Sequence, residues 1–268
     1  DAGNTTTSDF TVTITDDEDP AIAGTPSNIT QTADAGQCSA VINYTAPTAS
    51  DNCSITSFSG DAATGDAFPV GTTTVTYTAV DPAGNTTTSS FTVTITDDED
   101  PAIAGTPANI TQTADAGICG AVISWDDLTA SDNCAVASLS GTHDSGDTFP
   151  VGATSVIFTA TDVNGNSTTS TFTVTVTDDE DPSISGTPGD ITQTADAGLC
   201  GAAVSYTPPT AADNCGVDSF TSTHNSGDTF AVGTTTVTYT ATDVAGNTTT
   251  SSFTVTVSDN EQPVIAGM

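Results

Sequence analysis

The chain has 268 residues, 34 of them Asp or Glu and none Lys or Arg, for a formal net charge of -34 at pH 7. Nucleic acid is excluded as a partner, because phosphate contacts need cationic side chains, and an anionic membrane surface repels such a chain. Lysine isopeptide crosslinks are impossible, trypsin-like proteases have nowhere to cut, and the surface attracts metal cations. No apolar run is long enough to span a bilayer.

The first landmark in chain order is Asp16-Asp17-Glu18-Asp19-Pro20. It recurs at Asp97-Asp98-Glu99-Asp100-Pro101 and Asp178-Asp179-Glu180-Asp181-Pro182, and in looser form at Asp259-Asn260-Glu261-Gln262-Pro263, 81 residues apart each time. Each copy follows an alternating run such as Phe91-Thr92-Val93-Thr94-Ile95-Thr96. The order is therefore strand, acidic hinge, proline, next repeat. Residues 1–15 match 82–96, so we read 1–18 as the end of a preceding repeat. Three repeats follow at 19–99, 100–180 and 181–262, and 263–268 begins another. This is the expected pattern of a window on a longer tandem array, which also accounts for the lack of a signal peptide.

The middle repeat serves as the specimen. Pro101-Ala102-Ile103 opens an edge strand, Gly105-Thr106-Pro107 breaks it, and Asn109 to Thr113 resumes it. Asp115-Ala116-Gly117 turns into a strand from Cys119 to Trp125. Ser131-Asp132-Asn133 leads to Cys134 and a strand from Ala135 to Ser140. After a polar loop, Phe149-Pro150-Val151-Gly152 re-enters the core and Ser155 to Thr161 alternates in part. Asp162-Val163-Asn164-Gly165-Asn166 is a hairpin turn, with Gly165 free to take a positive φ. In the last strand Phe172, Val174 and Val176 line one face and threonines the other. The expected fold is all-β: tandem immunoglobulin-like β-sandwiches of about seven strands each, arranged end to end.

The six cysteines share the 81-residue period: Cys38, Cys119 and Cys200 form one series, and Cys53, Cys134 and Cys215 the other. Their spacing points to three disulfides and an oxidising compartment. The expected pairs lie within repeats: Cys38 with Cys53, Cys119 with Cys134, Cys200 with Cys215, each contributing about 3 kcal/mol. Zinc is the rival reading, but each repeat offers only two cysteines and at most one histidine.

The run Gly65-Asp66-Ala67-Phe68-Pro69-Val70-Gly71-Thr72-Thr73-Thr74-Val75-Thr76-Tyr77-Thr78-Ala79, then Asp81-Pro82-Ala83-Gly84-Asn85 and Phe91-Thr92-Val93-Thr94-Ile95, resembles the hyalin repeat, or HYR domain. So does the element formed by Cys38 and Asp51-Asn52-Cys53. The match recurs in all three repeats, departing at Ala231 and Asn164. The resemblance implies an immunoglobulin-like fold in extracellular, cell-surface proteins concerned with adhesion. Further cysteines common in the family are replaced here by Thr106 and by Ser90, Thr171 and Ser252. Near-identical repeats without Lys or Arg look most like the giant surface adhesins of bacteria.

Calcium is a hard cation that takes six to eight oxygen ligands. The hinges Asp16, Asp17, Glu18, Asp19; Asp97, Asp98, Glu99, Asp100; Asp178, Asp179, Glu180, Asp181; and Asp259, Glu261 are its expected ligands. Alternation carried on from Ile95 places Asp97 on the core-side row and Asp98 and Asp100 on the other. Asp115, Asp132, Asn133, Asp162 and Asn166, in turns at the repeat ends, are candidates to complete a site. The hinges resemble the acidic linkers of cadherins, which implies calcium-stiffened joints. The competing reading is a solvated linker held extended by repulsion. The Asp-x-x-Gly-Asn turns are expected chiefly to build hairpins, and Asp51, Asp132 and Asp213 to cap turns.

No nucleophile–base pair is apparent, His143 and His224 are isolated, and Asp126-Asp127 occurs in the second repeat alone, so the chain is read as no enzyme. The expected function is a structural stalk or filament segment of a secreted adhesin, with neighbouring repeats as its partners and self-association as a further possibility. The alternative is a carbohydrate- or protein-binding module in each repeat, hinted at by Trp125-Asp126-Asp127 against Tyr44-Thr45-Ala46.

Overall fold

A computed structural model describes residues 2–263, and the described residues form strands and no helix. The expected start of a further repeat at 263–268 lies, beyond Pro263, outside the described residues. Twenty-four strands fall into three sets of eight. In the first set these are β1 (Ala21–Ala23), β2 (Ile29–Thr32), β3 (Ser39–Val41), β4 (Thr48–Ser50), β5 (Ser57–Gly60), β6 (Ala67–Pro69), β7 (Gly71–Val80) and β8 (Thr86–Thr96).

The alternation of Thr with Val, Tyr, Phe and Ile builds the long hairpin of β7 and β8, paired from Gly71 opposite Ile95 to Val80 opposite Thr86. Val75, Tyr77 and Ala79 point inward from one strand and Phe91, Val93 and Ile95 from the other, all buried. Threonines occupy the outward positions, where a β-branched polar side chain suits a half-solvated face. β5 extends this sheet antiparallel to β7, and β2 runs parallel to β8, giving the order β2-β8-β7-β5. The opposing layer consists of two short ribbons, β1-β4 and β3-β6. Ala40, Ile42 and Phe68 from that layer close on Val75, Tyr77, Phe91, Val93 and Ile95 to make one core.

The count is eight strands where the sequence suggested about seven, because Thr48–Ser50, like Thr129–Ser131 at the Asp-Asn-Cys turn, pairs with the first strand of its set as a short ribbon. Phe68-Pro69-Val70-Gly71 is a corner. β6 pairs with β3 in one layer and β7 starts in the other. Gly71 makes the change at φ 115°, a conformation in which an L side chain is strained.

The third set runs from Ser183–Ser185 to Thr248–Ser258 and repeats the order and register. The middle set, Ala102–Ala104 to Ser167–Thr177, has the same strand order. These are all-β, immunoglobulin-type sandwiches in tandem. By packing, the chain forms two compact units. One holds the segments up to Ala104, Thr129–Ser140 and Thr159–Thr169, and the other Gly105–Leu128, Gly141–Phe158 and the segment from Ser170 onward.

Residues 5–15 nearly repeat the sequence of β8, yet they form no strand. Phe10, Val12 and Ile14 are 87, 68 and 91% exposed, whereas their equivalents Phe91, Val93 and Ile95 are buried. β8 is held between β2 and β7, and residues 5–15 have no such neighbours among the described residues.

One difference between repeats places a titratable group where the others have an amide. The side-chain oxygens of Asn28 and Asn109 accept the backbone N–H of Thr92 and Thr173, both at 2.9 Å. The third repeat has Asp190, which accepts Thr254 N–H at 2.8 Å. Hydrogen bonds from the Thr254 backbone and side chain hold this carboxyl below its ordinary value. Its contribution is complete above about pH 4, the unfolded value, and is lost as pH falls through the lower folded value. We expect Thr254 N–H to lose exchange protection below about pH 4 while Thr92 and Thr173 do not. Asp190→Asn should remove the difference; equal acid responses at all three sites would contradict this.

Candidate metal centre

At three of the four hinges the first acid is turned inward, as the alternation requires. Asp178 is only 9% exposed, and Asp16 and Asp97 are partly buried. Asp17, Glu18, Asp19, Asp98, Glu99, Asp100, Asp179, Glu180 and Asp181 are exposed. The first Asp of the hinge bends the chain by accepting the N–H two residues on, and exposed Asp259 does the same at the fourth hinge. Asp16, Asp97 and Asp178 accept Glu18, Glu99 and Glu180 at 3.2 Å, and Asp259 accepts Glu261 at 2.9 Å.

The glutamate ties the hinge back to the preceding repeat. Glu99 accepts Gly36 N–H at 2.9 Å, Glu180 accepts Gly117 at 2.9 Å and Glu261 accepts Gly198 at 3.0 Å. These glycines lie in the Asp-Ala-Gly turns. The Asp of each turn is occupied locally: Asp34 and Asp115 accept Val41 and Val122 N–H, both at 3.0 Å. Asp115 is thus a turn former and stands outside the acidic clusters.

Two loops of the following repeat meet the hinge. In the Asp-Asn-Cys loop, Asp132 caps with Oδ2, accepting Cys134 N–H at 2.9 Å, and Asp213 does the same for Cys215 at 2.8 Å. Asn133 donates to Gln37 O of the preceding repeat at 3.1 Å and to Asp97 Oδ1 at 3.2 Å. Asn214 donates likewise to Ile118 O at 3.3 Å and Asp178 Oδ1 at 3.4 Å.

The second loop is the hairpin turn. Buried Asp162 accepts the N–H groups of Asn164, Gly165 and Asn166 with Oδ1 and the Asn166 amide with Oδ2. The same Asn166 amide reaches Asp97 O at 3.2 Å. Asp81 with Asn85 and Asp243 with Asn247 repeat the arrangement. Burial pushes these three carboxyls up, but the side-chain amide and the turn's N–H groups outweigh it and hold them below the ordinary value.

The outcome is an acidic cluster at three of the four hinges: Asp16 with Asp51 and Cys53, Asp97 with Asp132 beside the disulfide sulfur of Cys134, and Asp178 with Asp213 and Asp243. Ligand atoms in each lie within 4.8 Å of one another. Of the expected hinge acids, Asp16, Asp97 and Asp178 join a cluster. The others described stay at the exposed surface, with Glu99, Glu180 and Glu261 bound to glycine N–H groups. Several oxygens at the clusters are buried and accept no hydrogen bond: Asp16 Oδ2, Asp51 Oδ1, Asp132 Oδ1, Asn133 Oδ1, Asp178 Oδ2, Asp213 Oδ1 and Asn214 Oδ1. Unpaired buried oxygens on hard, mostly anionic donors fit a cation such as calcium.

The cysteines overturn the expected pairing within repeats. Cys38 bonds to Cys134 and Cys119 to Cys215, with Cα atoms 4.6 and 4.7 Å apart. Cys53 and Cys200 are free and exposed. Within the first repeat, Cys38 follows the turn whose Gly36 touches Glu99 of the hinge ahead, whereas Cys53 follows Asn52, which donates to Glu18 of the hinge behind. The two cysteines therefore belong to opposite ends of the sandwich. Each bridge instead ties one repeat to the next, beside the acidic cluster. Sequence reasoning also missed Asn164, which donates to Asp97 Oδ2 at 2.7 Å; its only signal was its departure from the repeat pattern.

Trp125 packs edge-on against Phe149 and Phe172, at ring-centroid separations of 6.0 and 5.1 Å, in the place Tyr44 and Tyr206 hold against Phe91 and Phe253. His143 and His224 lie over Phe149 and Phe230, away from the clusters.

The described residues thus form tandem immunoglobulin-type sandwiches tied across acidic joints. A family model described as HYR domain matches residues 15–95, 96–176 and 177–257, and the chain belongs to that family. Hyalin of Lytechinus variegatus is 40% identical over 267 residues, covering 96% of this chain and 50% of the relative. Hyalin of Strongylocentrotus purpuratus is 37% identical over 267 residues, covering 96% of this chain and 22% of the relative. The chain thus spans half or less of these relatives' length. Among solved structures, protocadherin gamma B2 extracellular cadherin domains 1–5 overlap at TM-score 0.34 and 15% identity, covering 91% of this chain and 60% of that one. Drosophila N-cadherin EC1-3 overlaps at TM-score 0.33 and 14% identity, covering 87% and 98%.

Proposed function

We propose that the chain is a structural segment of a secreted, cell-surface adhesion protein. Its repeats, placed at 19–99, 100–180 and 181–262, act as spacers whose joints are stiffened by calcium. The observation that carries this reading is the joint itself. A disulfide, an asparagine bridge and a glutamate tie converge there with carboxylates whose buried oxygens accept nothing. With no Lys or Arg in the chain, a metal ion is the natural counter-charge. Membership of the HYR family and similarity to the hyalins support an extracellular location and an adhesive context.

Neighbouring repeats of the same chain are the immediate partners in this reading. Association of chains into a filament would need bridging cations, since a net charge of -34 opposes lateral packing. Of the sequence hint for a carbohydrate- or protein-binding role, Trp125 is half-buried and packs against Phe149 and Phe172, while Asp126 and Asp127 are exposed.

Small-angle scattering of the whole chain in calcium and then in EDTA tests the proposal. We expect an extended particle whose maximum dimension shortens, and whose shapes broaden, on chelation. An extended profile indifferent to EDTA removes calcium from the reading and keeps the spacer; a compact globule removes the spacer.

A further inference from the structure

The joints are not equivalent, and one residue separates them. Position 83 and its counterparts at 164 and 245 are the middle residue of each Asp-x-x-Gly-Asn turn: Ala83, Asn164 and Ala245. In the first joint the Asn164 amide donates to Asp97 Oδ2 at 2.7 Å, and both oxygens of Asp97 are thereby partnered. Where alanine stands, no such donor exists. Asp178 Oδ2 and Asp16 Oδ2 are buried and unpartnered.

The second joint is the fullest case. Asp178, Asp213 and Asp243 bring carboxylate oxygens within 4.8 Å of one another. Asp178 is 9% exposed and Asp243 1%. Asp178 Oδ2, Asp213 Oδ1 and Asn214 Oδ1 accept nothing. Like charges this close, withdrawn from water, demand compensation. A chain without Lys or Arg cannot supply it, and His224 is engaged over Phe230. The donors are all hard oxygens, three anionic and one amide, which selects a hard divalent cation over a soft one.

We propose that the second joint binds one divalent cation of the calcium class through Asp178, Asp213, Asp243 and the amide oxygen of Asn214, and that in the first joint the Asn164 side chain stands in for that cation. This rests on the calcium reading of the joints and deepens it. A neutral N–H donor satisfies the inward carboxylate, so the first joint has less to gain from a metal. The Asp16–Asp51 cluster, with Ala83 above it, belongs with the open class. Calcium control in the array is thus written joint by joint in a single exposed turn residue.

Calcium titration calorimetry on the whole chain, with Ala245→Asn, Asn164→Ala, Asp178→Asn and the double variant Asp179→Asn/Asp181→Asn, tests this. Both turn changes exchange residues already found at the equivalent position of another repeat, in turns that need no positive φ there, so folding is preserved. We expect Ala245→Asn to weaken one site at least about tenfold and Asn164→Ala to strengthen one by a similar factor, since fewer or more free carboxylate oxygens tune calcium affinity. Asp178→Asn should weaken one site, and the double variant should leave all sites intact. If Asp178→Asn weakens binding but the two turn variants do not alter it, the stand-in role of Asn164 is overturned while calcium at the joints survives. If the double variant abolishes binding, the exposed acids are the ligands and the site proposed here is wrong. If the unaltered chain binds no calcium, this proposal falls together with the calcium reading of the joints.

Discussion

Peptic digestion without reduction will release one peptide pair joined through Cys38 and Cys134 and another through Cys119 and Cys215. Each bridge has a sequence separation of 96 residues, and closing a loop of that size removes enough chain entropy from the unfolded state to contribute about 4–5 kcal/mol. Cys134→Ser with Cys215→Ser should therefore lower the denaturant midpoint substantially and disconnect adjacent repeats, so that one broad transition separates into steps. The variant is best made with Cys53→Ser and Cys200→Ser, because the two free exposed thiols would otherwise be oxidised into new disulfides with the Cys38 and Cys119 thiols that the variant releases. Recovery of a Cys38–Cys53 peptide from the unaltered chain would sink the cross-repeat assignment.

Phe172→Ala will destabilise the middle repeat by about 3–5 kcal/mol, the usual cost of emptying a buried phenylalanine site. Phe172 is 2% exposed and sits between Trp125 and Phe158, at centroid distances of 5.1 and 6.5 Å. No small neighbour can fill the space without moving the tryptophan. Trp125 is the single tryptophan, so its fluorescence reports this repeat alone. An unfolding free energy from urea titration within about 1 kcal/mol of the parent would mean that the core is not organised around this ring stack.

Much of the joint was legible in the residues. Alternation through Phe91, Val93 and Ile95 put Asp97 on the inner row, and that acid is indeed the one drawn into a cluster. Asp132, Asn133, Asp162 and Asn166 were candidates because they sit in turns, and the structure brings all four to the Asp97 hinge. Less visible was the division of labour within each acid. Asp132 caps its own loop with one oxygen and offers the other to the joint, and composition cannot distinguish a carboxylate that does one of these from one that does both. The tie from Glu99 to Gly36 was not visible either, since it depends on the longer side chain reaching across to the turn of the preceding repeat.

The sequence by itself determined the 81-residue period, the strand alternation with its buried face, the Asp-x-x-Gly-Asn hairpins and the absence of Lys and Arg. These are local or compositional properties, readable wherever a residue and its near neighbours suffice. Only the tertiary structure decided which cysteines bond, and the reason is the repeat itself. Cys53 and Cys134 have the same local surroundings, so proximity in sequence favours Cys38 with Cys53, while the sandwich carries those two to opposite ends and brings Cys134 to the joint. The same reason governs the segment around Phe10. A sequence that is a core strand at 86–96 forms no strand at 5–15, because a β-strand is stabilised by the neighbours that take up its hydrogen bonds and cover its apolar face, and those are supplied by the fold around it.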